Sequence, residues 1–319
     1  MRLGQNPAKF VQSVAQPAPV TVALITYIPF VGGYYADALR VLQVCLESIR
    51  ANTEPPFDLL VFDNASCPEV RAYLSAQRDA GAIQYLILSD QNIGKGGAWN
   101  FIFGAAPGEY LAYADSDVYF YPGWLPALRR VLQTFPDVGM VTGMPLLNPE
   151  EYATSTLNWA QAHPQAVIER GNLLAWEDYW QHAGSLGNDE AKARAFYQSH
   201  QSTRITFEGQ TCYAGAGHFQ FLARSEVLRR ALPIPSDKPM GQVRSLDVQI
   251  NQMGFLRLST PEWWVRHLGN TLPEGFSPLA GTYAGASVSP ASRKRFAAWG
   301  PARRLLVWLH NKTFEALYR

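Results

Sequence analysis

Cysteine is scarce in this 319-residue chain: Cys45, Cys67 and Cys212 stand far apart, odd in number and without a CxxC pair. That argues against a disulfide framework or a zinc knuckle and suits a reducing compartment. No run of about 18 apolar residues occurs, so no membrane-spanning helix is expected. The opening MRLGQNPAKFVQSVAQPAP lacks an apolar centre and does not read as a signal peptide. Residues 1–18 are expected to form a mobile arm, and the protein is expected to be cytoplasmic. Charge is sparse, at 17% of residues with a net of +1, which excludes long disordered tracts and the basic footprint of a nucleic-acid-binding face. There are no internal repeats. Neither GxGxxG after the first strand nor GxxxxGK[ST] is present, which argues against a dinucleotide-type redox protein and a P-loop enzyme.

What the chain does have is apolar and aromatic content, 47% and 13%. Strand-length apolar runs occur at 21–28 (VTVALITY), 58–63 (DLLVFD), 83–88 (IQYLIL), 109–115 (EYLAYAD) and 138–144 (VGMVTGM). Helical patterns separate them at 36–52, 68–80, 96–106 and 123–135. Continuous apolar strands interleaved with helices predict an α/β fold, a mostly parallel central sheet covered on both faces. After Pro145 the rhythm changes. Residues 146–210 read as helices and loops without a clear strand, then 213–223 as one strand, 224–232 and 243–254 as helices, and 256–267 as short strands. Residues 269–290, rich in Gly, Pro and Ser, read as a lid, and 301–319 as an amphipathic helix. That helix is expected either to pack on the core or to rest on an anionic membrane surface.

Ligands of open parallel sheets bind outside the carboxyl ends of the strands. The residues there are Thr26 and Tyr27, then Asp63 and Asn64, then Gln91, Asn92 and Gly94, then Asp115, Ser116 and Asp117. Four successive polar strand ends describe a polar crevice. In Asp115-Ser116-Asp117, carboxylates at spacing two point the same way and repel unless a cation lies near. Mg²⁺ or Mn²⁺ accepts one or two carboxylates plus diphosphate oxygens; an ordinary Asp-rich turn is the alternative. The glycines of Asn92-Ile93-Gly94-Lys95-Gly96-Gly97 open a helix, either to meet an anion or to pack closely, and Lys95 either touches phosphate or faces water. Asp247 falls on the apolar stripe Val243, Leu246, Ile250 of its helix, where a charge is costly unless used or paired. His267 follows the apolar strand WWVR.

VTVALITY, LLVFDNAS, QNIGKGGAWN, LAYADSDVYFYPGWL, AGAGHFQFLARSEVL, SLDVQINQMG and VRHLG occur in an order and spacing that resembles the family-2 glycosyltransferases of GT-A fold, over roughly residues 20–270. The resemblance implies an inverting, metal-dependent transfer of a sugar from a UDP-, GDP- or dTDP-sugar to a glycan, lipid-linked or protein-linked hydroxyl, as in polysaccharide biosynthesis. It implies that Tyr27, Asp63, Asn64, Asn92, Gly94 and Asp115 hold the donor, and Thr26, Lys95 and Ser116, at the same polar strand ends, are expected to join them. Asp115, Asp117 and His267 would hold the metal, Mg²⁺ or Mn²⁺, Asp247 would deprotonate the acceptor, and Gly215, Ala216 and Gly217 would line the acceptor side. The family often has Glu-Asp at the base where this chain has Leu246-Asp247, and the segment 146–210 has no counterpart. The expected organisation is an arm (1–18), a catalytic domain (19–270, with 19–145 binding nucleotide, the insertion 146–210 and an acceptor half 211–270), and a lid with a terminal helix (271–319). A non-catalytic nucleotide-sugar-binding module and a sugar-phosphate nucleotidyltransferase are the alternatives. The latter usually has a basic glycine-rich loop after the first strand, where this chain has TYIPFVGGYY.

Overall fold

The computed structural model describes residues 4–238, 242–272 and 276. Most of the expected lid and the whole terminal helix at 301–319 lie outside the described residues. Residues 4–17 of the expected arm are exposed, with a single 3-10 turn at Pro7–Phe10.

The first half alternates as its pattern dictates: β1 (Val20–Thr26), α1 (Ala38–Asn52), β2 (Phe57–Asn64), α2 (Pro68–Asp79), β3 (Tyr85–Ser89), α3 (Gly94–Ala105), β4 (Tyr110–Asp115), β5 (Val118–Phe120), α4 (Trp124–Thr134) and β6 (Val138–Thr142). Then follow α5 (Thr154–Ala162), β7 (Val167–Gly171), α6 (Trp176–Ser185), α7 (Glu190–Ser199), β8 (Ser202–Phe207), β9 (Gln210–Ala214), β10 (Gln220–Arg224), α8 (Ser225–Arg230), α9 (Arg244–Gln252), β11 (Leu256–Ser259) and β12 (Val265–His267). The main sheet runs β3-β2-β1-β4-β10-β6-β11-β9-β8-β7, and β12 pairs with β5 in a small second sheet. β3, β2, β1 and β4 are parallel, as are β6 and β11; β10 is inserted antiparallel between β4 and β6.

The alternation of side chains along each strand separates two cores. Val20, Val22 and Leu24 of β1 with Leu59 and Val61 of β2 meet Leu42 and Leu46 of α1, Val70 and Leu74 of α2, and Leu128 and Val131 of α4. On the other face Ala23, Ile25, Leu60, Phe62 and Tyr113 meet Trp99 and Phe103 of α3, Leu228 of α8 and Leu246 of α9. Every residue of β1 is buried. That is why the strand reads as an unbroken apolar run, and why truncating a fully buried position such as Leu24 to Ala would cost about 2–5 kcal/mol. Cys45, Cys67 and Cys212 are free and buried. Among the described residues no helix is long and apolar enough to cross a membrane.

Two expectations need correction. The segment 146–210 contains not only helices α5, α6 and α7 but also β7 and β8, which extend the sheet antiparallel beyond β9. β7 is an edge strand, VIERG, with no buried residue, so it lacks the apolar alternation that announces a strand. The single strand expected at 213–223 is two strands, β9 and β10, because the chain breaks at Gly215, whose φ of +106° lies where side-chain-bearing residues rarely go.

Candidate active-site crevice

β1 lies between β2 and β4, so the chain leaves the sheet in opposite directions on either side of it. This is the switch point at which open α/β sheets take ligands. The register sets Thr26 opposite Asp63, and Ile25 opposite Asp115, at the carboxyl edge. β10 enters antiparallel with Gln220 opposite Ala114, which brings its preceding loop to the same edge; there Phe219 O accepts from Asp115 N at 2.8 Å and Thr142 Oγ1 from Gly217 N at 2.8 Å.

Asp115, at the end of β4, is held by Lys95 of α3. The ammonium lies 2.6 Å from Oδ1 and 2.7 Å from Oδ2, and the Tyr113 hydroxyl donates to Oδ1 at 2.6 Å. Lys95 therefore does not face water. It is buried, over the rings of Trp99 and Tyr113 at 5.2 and 5.6 Å, and is itself a cation beside the acidic pair. Burial first, and the Asp115 charge next, push the Tyr113 phenol well up, so it stays a donor. Gly94 needs its freedom, at φ +72°, while a side chain at Gly96 would strike the Pro235 carbonyl, so close packing explains that glycine.

Asp117 turns elsewhere. Its Oδ2 is 3.2 Å from His267 Nε2 at the end of β12, and its Oδ1 is buried without a hydrogen-bond partner among the described residues. The Ser185 hydroxyl, at the end of α6, donates to His182 O at 2.7 Å and so accepts from His267 Nδ1 at 2.9 Å. With Nδ1 carrying the proton, a neutral ring offers only a lone pair at Nε2 to an acceptor-only carboxylate. A second ring proton or a metal ion resolves that opposition. Burial pulls the His267 imidazole down, but the Asp117 hydrogen bond and the Asp117 and Asp115 charges outweigh it and hold the ring above its ordinary value. Among the described residues no three His, Cys, Asp or Glu side chains close into a metal cluster. Asp117 and His267 fit the kind of ion that takes its remaining ligands from phosphate and water, as Mg²⁺ does. Asp115 is not part of that pair; its oxygens belong to Lys95 and Tyr113.

The other expected donor residues divide in two. Asp63 is fully buried, with Oδ2 accepting from Arg71 Nε at 3.0 Å and Oδ1 from Ser66 N at 3.2 Å. Asn64 donates to Asn92 Oδ1 and accepts from Ile93 N, both at 2.9 Å, and Asn92 Oδ1 also accepts from Gly94 N at 2.9 Å. These side chains brace the two loops. Thr26 is buried with its hydroxyl unpartnered, Ser116 is half-buried in the turn, and Tyr27 is exposed, followed by exposed Phe30 and Tyr34.

Across the crevice, Asp247 in the first turn of α9 is 5% exposed. Its Oδ2 meets His218 Nδ1 at 3.1 Å and its Oδ1 lies 2.7 Å from Arg257 Nη2. Arg257, in β11, is 1% exposed, and its guanidinium also donates to the carbonyls of Tyr152 and Ala216. The contact with Oδ1 is one of charge, since no aligned N–H reaches that oxygen. Arg257 thus ties α9 to the loop Gly215-Ala216-Gly217 that carries His218. Trp99 touches both sides, its ring 6.4 Å from His218 and under the Lys95 ammonium.

His218, Arg257, Ser185 and Tyr113 were not among the residues singled out from sequence. Arg257 alone left a signal there, a charge inside the apolar strand LRLS. Two surface hollows, of about 320 and 340 Å³, lie at the opposite edge and include none of these residues.

With this geometry in hand, the chain can be compared with known proteins. Residues 35–175 match the model of Glycosyl transferase family 2. This stretch, a little under half of the chain, spans α1 to β7 and includes both Asp115 and Asp117, and here the likeness to family-2 glycosyltransferases read from the motifs is shown. An uncharacterized glycosyltransferase of Nostoc sp. is 27% identical over 142 residues, 43% of this chain and 44% of that protein. The chain thus spans less than half the length of the curated relative it matches. Similar solved structures include a mannosyltransferase of Pyrobaculum calidifontis in complex with GDP-Man and Mn²⁺, at 16% identity and TM-score 0.45, covering 77% of this chain and 55% of that one. Another is residues 1–349 of TarS of S. aureus in complex with UDP-GlcNAc, at 12% identity and TM-score 0.46, covering 83% and 61%.

Proposed function

We propose that this chain is a glycosyltransferase that moves a sugar from a nucleotide-diphosphate donor to a hydroxyl acceptor with inversion at the anomeric carbon. The observation that carries the reading is the Asp117–His267 pair at the β1/β4 switch point, with one carboxylate oxygen buried and unpartnered and with Asp117 inside the stretch that matches family 2. Tyr27 and the loops braced by Asp63, Asn64 and Asn92 offer the base and ribose a floor. Asp117 and His267 would hold Mg²⁺ or Mn²⁺, which supplies positive charge to the departing diphosphate. Lys95 carries further positive charge on the donor side, balanced by Asp115. Asp247 and His218 form the proton-accepting side, next to the closely packed Gly215, Ala216 and Gly217. Transfer then needs only that donor and acceptor be bound between these two walls, with the acceptor oxygen opposite the leaving phosphate. A cytoplasmic setting, with glycans or lipid-linked sugars as acceptors, completes the reading.

A thermal-shift panel of UDP-, GDP-, dTDP- and CDP-sugars, each with and without Mn²⁺, tests it. One nucleotide should stabilise the chain strongly, and more so with the ion. No shift with any of them would end the proposal, and binding without turnover of any acceptor would favour a nucleotide-sugar-binding module.

A further inference from the structure

We propose that His218, rather than the Asp247 carboxylate itself, takes the proton from the attacking hydroxyl, and that Asp247 is the positioning residue behind it. The inference rests on the transferase reading above and assigns a step within it.

Access decides between the two groups. The Asp247 side chain is 7% exposed; its Oδ2 is taken by His218 Nδ1 at 3.1 Å, and its Oδ1 is buried against the Arg257 guanidinium at 2.7 Å, without an aligned N–H. The His218 side chain is 32% exposed. A carboxylate can only accept, so Nδ1 carries the hydrogen that joins the two. Nε2 of the neutral ring then holds the lone pair. The arrangement is that of an imidazole whose tautomer and orientation are fixed by a buried acid. Arg257 reinforces it, because one guanidinium grips both the acid and the Ala216 carbonyl two residues before His218.

The charges around His218 are few. Asp247 of α9 faces it directly, with Arg257 of β11 behind that carboxylate. On the α3 side the Trp99 ring separates it from Lys95. From α6 comes the His182 imidazole, which packs against Phe219 and His267. In the step itself, the hydroxyl proton passes to Nε2 while the oxygen's electron pair forms the bond to the anomeric carbon. The anomeric C–O bond to phosphate breaks, and its pair leaves on the diphosphate. The resulting imidazolium is held by Asp247.

The test uses the full chain with GDP-mannose and with UDP-N-acetylglucosamine, water and methyl glycosides serving as acceptors, and reads nucleoside diphosphate release. His218→Ala should slow release by about 10²–10⁴-fold, the range of a lost general base. It should keep the donor-induced thermal shift of the unaltered chain, which also certifies its fold. Added imidazole should restore part of the rate, and His218→Gln should lose the acid limb of the pH–rate profile that the unaltered chain shows. If His218→Gln releases nucleotide as fast as the unaltered chain, with the acid limb intact, the assignment to His218 is overturned while the transferase reading stands. If the unaltered chain releases nothing from these two donors or from any other UDP-, GDP-, dTDP- or CDP-sugar that stabilises it, the transferase reading falls, and this assignment with it.

Discussion

The two walls of the crevice each hold a sheltered carboxylate against a buried cation, yet they are built differently. On the donor wall Asp115 meets Lys95, a single ammonium on a flexible stem, and its side chain is 25% exposed. On the acceptor wall Asp247 is 7% exposed and meets Arg257, whose planar fork also grips two backbone carbonyls. A lysine can swing aside when an incoming ligand competes for its partner; an arginine fixed at several points cannot. The donor wall is therefore adjustable and the acceptor wall is a rigid frame, with His218, the proposed proton acceptor, mounted on it.

That contrast can be broken at four points. The largest effect is expected from Asp247→Asn, which should keep donor binding but lose about 10²–10⁴-fold in transfer, measured by nucleotide release, because the imidazole loses its anchoring acid. Arg257→Met should come next. Leaving a buried carboxylate unpaired costs about 3–5 kcal/mol, seen as a large fall in the thermal midpoint before any donor is added. Ser185→Ala frees His267 to turn, and removal of such an orienting partner weakens metal affinity by about 10–100-fold, read by Mn²⁺ titration in the presence of nucleoside diphosphate. The smallest is Lys95→Met, about 1–2 kcal/mol in denaturant unfolding, since Asp115 keeps the Tyr113 hydroxyl and gains water. A Lys95→Met chain as unstable as the Arg257→Met chain would erase the distinction between the walls.

The same division governs what could be read from sequence. β1, β2 and β4 show themselves as apolar runs because the sheet buries them on both faces, and their polar ends mark the crevice edge. The shelter of Asp247 was legible too, from its place between Leu246 and Ile250 on the stripe of α9, and both neighbours are fully buried. Its partners were not. His218 and Arg257 lie 29 and 10 residues from it on separate elements, and only the antiparallel insertion of β10 and the packing of α9 on β11 join them. The role of α6 was equally hidden, since Ser185 is 82 residues from His267 and nothing in 146–210 hints that this segment backs the Asp117–His267 pair. Lys95 was visible, but its burial was not, because the aromatic walls around it come from α3 and β4 together.

The proposed donor binding depends on a divalent cation completing the Asp117–His267 pair. The most direct measurement is a crystal structure of the chain soaked with Mn²⁺ and a nucleoside diphosphate. The account predicts anomalous density within bonding distance of an Asp117 oxygen and of His267 Nε2, with diphosphate oxygens as further ligands. Nucleotide bound with no ion there, and with Asp117 still closed on His267 alone, would contradict it.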